Sequence, residues 1–310
     1  MTDTFRVLQP GLLTTIQDLG RPHVVSAGVP AGGAMDRFAH SAANLLVGND
    51  RSAATLECTI RGPRLAALRP CIVAITGADL GPAVNGLPVP MWTSVPLQEG
   101  DELGFGARRM GIRAYIAVSG GFLGDRWLGS MSTNLMSARG GVHGRGLVVG
   151  DTLAAGESMV AHESGRSLDA ARRPHYGERA LHAIPGPHAS RLTTDSRAAL
   201  FGAPYTLSPD SNRMGYRLLG PILEAPGDDV LSFALLTGVV QLPRGGQPIL
   251  LMADCQTAGG YPVVATLATA SMSIAAQLAP GDEIVFAETP VEEALATRAA
   301  QLAALEFLSS

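Results

Sequence analysis

Four pairs of segments recur in the same order along the chain, and such a repeat constrains the fold more than any single motif. PILLMADCQTAGGYP (Pro248 to Pro262) is an apolar run that breaks into Asp254, Gln256, Thr257, paired glycines and Tyr261, and CIVAITGADLGPAVNGLP (Cys71 to Pro88) is a plainer version that stops at Asp79. PLQEGDELGFG (Pro96 to Gly106) matches QLAPGDEIVFA (Gln277 to Ala287), each a Gly-Asp-Glu turn opening a short alternating strand. GVPAGGAMDRFA (Gly28 to Ala39) resembles LSPDSNRMGYRL (Leu207 to Leu218), and LQPGLLTTIQD from Leu8 resembles IPGPHASRLTTD from Ile184. The offset stays at roughly 175 to 181 residues, a drift that changes in loop length absorb. The pattern predicts two similar domains, residues 1–175 and 176–310, and 310 residues are enough for each to bury its own core.

Composition narrows the chemistry. All 23 basic residues are arginine, so Schiff-base catalysis by lysine, a Walker-type phosphate loop and a kinase-type Lys–Glu pair are excluded within this chain. Anions must be met by Arg, backbone N–H groups or helix termini, and Arg brings a planar fork suited to carboxylate or phosphate. A net charge of −4, with no basic stripe among aromatics, argues against nucleic acid as a partner. No apolar run approaches the ~18 to 20 residues that span a bilayer, and MTDTFRVLQPG has neither the basic nor the apolar region of a signal peptide. Cys58, Cys71 and Cys255 are odd in number and set in apolar sequence, as expected of reduced, buried thiols in a cytoplasmic protein.

Local patterns predict a mainly β chain. Apolar runs at Ile72 to Ile75, Ala114 to Val118, Val230 to Leu236 and Ile249 to Met252 sit between Gly, Pro and Asp signals, the spacing of barrels or sandwiches. Asp36 is placed to cap a helix over Arg37 to Val47, ended by Gly48-Asn49. Thr289, Pro290 and Glu292 make a capping-box start to a C-terminal helix, with Val291, Leu295, Leu302 and Leu305 at helical spacing. Charged, Arg-rich Ala161 to Glu178 reads as a linker. The glycine-dense middle carries Gly140, Gly141, Gly144 and Gly146 around His143 and Arg145; either turn geometry selects these glycines or they form a backbone nest for an anion.

Familiar catalytic constellations are missing. Ser119 lacks the glycine two residues before it that a nucleophile elbow needs, and GFGARRMG from Gly104 lacks the strand-to-helix context of a dinucleotide fingerprint. His175, His182 and His188 are spaced too irregularly for zinc, and no metal site is expected. What remains is a set of acidic, amide and Arg groups on loops: Gln17, Asp18, Arg21 and Asp36 in the first half, and Arg213, Arg217, Asp254, Gln256 and Tyr261 in the second.

The strings GLLTTIQDLGR (Gly11 to Arg21), GVPAGGAMD (Gly28 to Asp36), ANLLVGN (Ala43 to Asn49), AATLE (Ala53 to Glu57), AITGAD (Ala74 to Asp79), SNRMGYRLLG (Ser211 to Gly220) and ADCQTAGGYP (Ala253 to Pro262) resemble the biotin-dependent carboxyltransferase-like family. Its members are called 5-oxoprolinase C-type subunits, allophanate hydrolase subunit 2 or KipA. The resemblance implies two related cyclophilin-like β-barrels with a few short helices and a C-terminal helix. It implies a KipI-like protein, the B-type component, as partner and, in 5-oxoprolinase, an A-type component of the lactam-utilization kind. That enzyme opens 5-oxoproline to L-glutamate with ATP hydrolysis, and with no nucleotide motif in this chain ATP is expected at the level of the complex. On this reading Asp254 and Gln256 are the catalytic candidates, and Gln17, Asp18, Arg21, Asp36, Arg145, Arg213, Thr257 and Tyr261 the substrate-binding ones.

The sequence departs from the family pattern at Phe233 and Ser271, where acidic residues are expected, and at Ala258, where a second Thr is expected. Two alternatives to a role in 5-oxoprolinase follow. One is a carboxyltransferase half-site, with biotin carried by a partner because this chain has no lysine. The other is a KipA-like regulatory protein that binds a KipI-like kinase inhibitor, a reading that the lost acidic groups favour.

Overall fold

A computed structural model of the chain describes residues 2–157, 164–227 and 230–309, which fold as two compact units. Unit 1 comprises Met1–Arg21, Gly32–Tyr176 and Leu302–Ser310; unit 2 comprises Pro22–Ala31 and Gly177–Gln301.

Unit 1 runs through β1 (Thr2–Gln9), β2 (Leu13–Gln17), α1 (Arg37–Leu46), β3 (Thr55–Thr59), β4 (Arg64–Ala67) and β5 (Cys71–Asp79). It continues through β6 (Pro82–Val84), β7 (Leu87–Pro88), β8 (Ser94–Leu97), β9 (Glu102–Phe105), β10 (Met110–Val118) and β11 (Thr152–Ala155). These form a six-stranded sheet, β11-β1-β4-β9-β6-β7, and a five-stranded sheet, β2-β3-β10-β5-β8. Alternate residues of both sheets, among them Phe5, Val7, Leu56, Leu65, Ile75, Leu103 and Ile116, build one fully buried core with Phe122 of the segment after β10. Period-two alternation puts such residues on a single face of each strand, and their burial is the main stabilising term. The other face of the five-stranded sheet contributes Ala74, Tyr115 and Ala117 to a second cluster with α1, whose Phe38, Ala39, Ala42 and Leu46 lie on its inner side.

Unit 2 holds β12 (Ala180–Pro185), α2 (Thr194–Leu200), β13 (Pro204–Leu207), β14 (Gly215–Leu219), β15 (Phe233–Ala234) and β16 (Val239–Gln241). It continues with β17 (Ile249–Leu251), β18 (Ala258–Gly259), β19 (Val263–Leu267), α3 (Thr269–Ala275) and β20 (Glu283–Glu288); α4 (Val291–Ser309) follows and is divided between the two units. Its strands close into a seven-stranded barrel, β12-β19-β16-β17-β14-β13-β20, in which only β12 and β20 pair in parallel. Closure leaves no free sheet edge in the barrel. Tyr205, Tyr216, Leu218, Val240, Leu250, Val264 and Phe286 are buried in this unit. The chain is thus mainly β, with few helices and the fold of a cyclophilin-like barrel.

The Gly-Asp-Glu echo is a structural repeat. Gly100 and Gly281 have φ of 89° and 90°, the left-handed region open to glycine. Asp101 accepts from the Gln98 N–H at 2.7 Å, and Asp282 from the Ala279 N–H at 2.9 Å. In both turns the glycine N–H and the Asp carbonyl bond one residue of a neighbouring strand, Ala67 of β4 in one and Leu207 of β13 in the other. The echo of Gly28–Ala39 in Leu207–Leu218 does not hold. The first leads into α1, the second joins two strands, and shared Met, Arg and Gly residues do not fix a backbone.

Several local expectations are corrected. Val230 to Leu236 yields only the two-residue β15, because its partner β18 is equally short. In α4 it is Ala294, Ala304, Leu305 and Leu308 that are buried, whereas Val291, Leu295 and Leu302 are exposed. Thr289 makes no capping box with Glu292; its hydroxyl donates to the Ala287 carbonyl and meets His182 Nδ1. The expected linker lies partly in residues 161–163, outside the described residues. Past them, the chain is packed into unit 1: Leu168 and Tyr176 join the α1 cluster, and Arg166 donates to the carbonyls of Leu45 and Leu308.

Candidate functional site

A cavity of about 210 Å³ opens in unit 2. The loop before β14 supplies Asp210 and Asn212, β14 supplies Arg217, β16 supplies Gln241, β17 supplies Ile249 and Leu251, the loop after β17 supplies Gln256, and the turn after β18 supplies Tyr261. The two loops are sewn together by the backbone, Met252 N–H to Met214 C=O at 3.0 Å and Asp254 N–H to Arg213 C=O at 2.9 Å. A two-pronged ion pair reinforces the seam: Arg213 donates through Nε and Nη2 to Asp254 Oδ2 and Oδ1 at 2.8 and 3.2 Å. Both side chains are only about a tenth exposed, at 10% and 11%, so the two charges meet largely out of solvent.

Gln256 is exposed at the cavity wall, and its Nε2 donates to Oε1 of the buried Gln241 at 3.1 Å. Thr257 follows, half-buried, with its carbonyl accepting from Leu235 N–H at 2.9 Å. Tyr261, 47% exposed, also borders a larger cavity of about 800 Å³ whose polar lining includes Arg191, Glu224 and Arg244. Cys255 is buried, which pushes its thiol pKa up and removes it as a nucleophile. The departures from the family pattern have local structural roles. Phe233 packs its ring on His188 at 5.2 Å, and the buried Ser271 hydroxyl accepts from His182 N–H at 3.0 Å, tying α3 to β12.

The remaining candidates belong to unit 1. Asp18 accepts from the Gly20 and Met131 N–H groups and from the Ser130 and Ser132 hydroxyls, at 2.6 to 2.7 Å. The buried Arg21 donates to the Ser132 and Trp127 carbonyls and lies 4.7 Å from the Trp127 ring centre. Gln17 donates to the Thr133 carbonyl at 3.2 Å, so all three fasten β2 and the turn after it to the glycine-dense segment. Asp36 caps α1 at the Ala39 N–H, 3.0 Å, and accepts from the Tyr176 hydroxyl at 2.6 Å. Arg145 is gripped by both oxygens of Asp151 at 2.8 and 2.9 Å, which holds that carboxyl below its usual range. The glycines beside it answer to packing: a Cβ on Gly144 would come within 2.0 Å of the Ala138 backbone.

Sequence reasoning passed over Gln241, and the signal was a lone amide at the end of the apolar run Val239–Val240. It also passed over Glu57, buried in unit 1, which accepts from the Tyr115 hydroxyl at 2.7 Å and the Met35 N–H at 2.9 Å. Burial raises the Tyr115 phenol pKa, and the neighbouring charge of Glu57 adds to the effect. Among the described residues no cluster of three His, Cys, Asp or Glu side chains is placed to hold a metal, and no helix is long and apolar enough to cross a membrane.

Comparison with known proteins adds what geometry leaves open. Residues 27–288 match the family model described as carboxyltransferase domain, subdomain A and B. The chain is 38% identical to the C-type subunit of 5-oxoprolinase from Escherichia coli (strain K12), covering 98% of this chain and 97% of that protein. It is 34% identical to the corresponding 5-oxoprolinase protein of Haemophilus influenzae, covering 92% and 91%. The crystal structure of the K. lactis urea amidolyase superposes with a TM-score of 0.92 at 26% identity, covering 99% of this chain and 20% of that one.

Proposed function

From the premise that the chain belongs to the carboxyltransferase domain, subdomain A and B, family, we propose that it is the C-type subunit of an ATP-dependent 5-oxoprolinase. In that role it works in the cytoplasm with a KipI-like B-type partner and a lactam-utilization-type A-type partner, converting 5-oxoproline to L-glutamate. The observation that carries the reading is the near end-to-end match to bacterial proteins of that name.

The unit 2 cavity supports it chemically. At about 210 Å³ it holds roughly seven water volumes, the scale of a five-membered lactam. It is smaller than the ~300 to 1,000 Å³ of sites for larger ligands, so ATP is assigned to the complex and not to this cavity. ATP would supply the phosphoryl group that turns the lactam oxygen into a leaving group. In this scheme Arg217 meets the substrate carboxylate, Gln256 meets the amide, and the Arg213–Asp254 pair keeps the Gln256 loop in place. Co-expression with the two partner proteins should give glutamate release that depends on ATP. An intact three-protein complex that releases none would overturn the proposal.

The likeness to a urea amidolyase favours one further reading, a half-site that takes a carboxyl group from biotin on a partner chain and passes it to a urea-like amide. Carboxylation of such an amide with a biotinylated partner, in the absence of glutamate release, would select it.

A further inference from the structure

Gln241 and Gln256 form a pair that the fold alone does not account for. Gln241 ends β16 only 1% exposed; its Oε1 accepts from Gln256 Nε2 at 3.1 Å, and its own Nε2 is buried with no partner among the described residues. A buried amide left half-satisfied is costly, and natural proteins hold few of them without a reason. The pair is also given room. A Cβ on Gly259 would stand 3.2 Å from Gln241 Nε2 and 3.9 Å from Gln256 Nε2.

A carboxamide has one edge on which an N–H lies beside a carbonyl lone pair, and a second Nε2 hydrogen that points away from it. Donation from Gln256 Nε2 to Gln241 through that second hydrogen leaves the paired edge free to face the cavity. Exchanging oxygen and nitrogen on both side chains preserves the mutual bond and the same outward pattern, so the conclusion is independent of amide assignment. The complement of that edge is a cis amide, whose N–H and C=O lie side by side. Lactams and ureas carry one; lactones and N-alkylated lactams do not.

We infer that Gln241 is a positioning residue that fixes the Gln256 carboxamide, so that its outer edge reads the N–H and C=O of a cis-amide substrate through two hydrogen bonds at once. The inference rests on the lactam-opening reading for its choice of this cavity as the substrate site.

The test uses the full chain, labelled with ¹⁵N and titrated with 2-pyrrolidone, N-methyl-2-pyrrolidone and γ-butyrolactone, following the glutamine side-chain N–H₂ signals. The expected result is that 2-pyrrolidone shifts the Gln256 signals and binds about tenfold more tightly than the other two, the scale of one net hydrogen bond. Gln241→Leu should reduce that preference to about twofold, and Gln241→Glu, which keeps an acceptor for Gln256 Nε2, should restore most of it. Equal binding of the three ligands, unmoved Gln256 signals or an unchanged preference in Gln241→Leu would each overturn the inference. Should the leucine variant not fold, the ligand series on the unaltered chain still decides. Turnover by the assembled complex without this preference would sink the inference alone, and the preference without turnover would sink the 5-oxoprolinase reading alone.

Discussion

Single residues of unit 1 show how burial sets chemistry. His40 on α1 is completely buried, its Nδ1 2.8 Å from the Thr55 hydroxyl. Desolvation dominates and lowers its pKa to about 4, against the partial support of Asp18 and Glu57. An unfolded histidine titrates near 6.5, so below that pH the unfolded chain takes up a proton that the folded chain refuses. This contribution to stability is complete above about pH 6.5 and is lost as pH falls to about 4, by about 3 kcal/mol in all. Urea unfolding of unit 1 across that range should show the decline, and His40→Gln should flatten it. The same scale explains what sequence could reveal of the site. The polar string around Asp254, Gln256 and Tyr261 stood out because polar groups interrupt an apolar run, and these residues do gather at one cavity or its supporting seam. Asp18 and Arg145 look identical in sequence to ligand-binding groups; only in the fold do serine hydroxyls and Asp151 come to engage them.

At the scale of elements, the two Gly-Asp-Glu turns allow a matched experiment. Neither Gly100 nor Gly281 has a heavy atom within 4 Å of an added Cβ, so alanine there meets only the backbone cost of a positive φ. Gly100→Ala and Gly281→Ala should therefore each destabilise their own unit by about 1 to 2 kcal/mol, and by the same amount. Urea midpoints of the two variants, measured side by side, check both magnitude and equality. These turns were legible because glycine and aspartate each perform a specific task in them. The helices were legible in extent and less so in orientation. The α1 cap at Asp36 is where its sequence places it, but α4 buries Ala294, Ala304, Leu305 and Leu308 while Leu295 and Leu302 face solvent. Apolar residues fall on every side of α4, so helical spacing alone does not say which of them face the core.

For the whole molecule, neither unit is one continuous stretch of chain: unit 1 gives way to unit 2 at Tyr176 and Gly177, and each unit also takes a segment from elsewhere in the sequence. No periodicity announced that Pro22–Ala31 groups with unit 2 or that Leu302–Ser310 groups with unit 1, since such membership depends on long-range packing. Ala304, Leu305 and Leu308 bury their side chains against the α1 cluster. Removing residues 302–310 should therefore weaken unit 1 and spare unit 2. The buried thiols can report this: Cys58 in unit 1 should react with a thiol reagent at least about tenfold faster in the truncated chain, and Cys255 in unit 2 at an unchanged rate.

That return of the chain has a consequence during synthesis. A ribosome ordinarily releases domains in sequence, the first folding while the next is still being made. Here the helix segment that completes the cluster around α1 leaves the exit tunnel only after all of Gly177–Gln301 has been translated. Unit 2 can finish first, although unit 1 was started first, and a nascent chain stalled before Leu302 would carry an open apolar groove for a chaperone to cover.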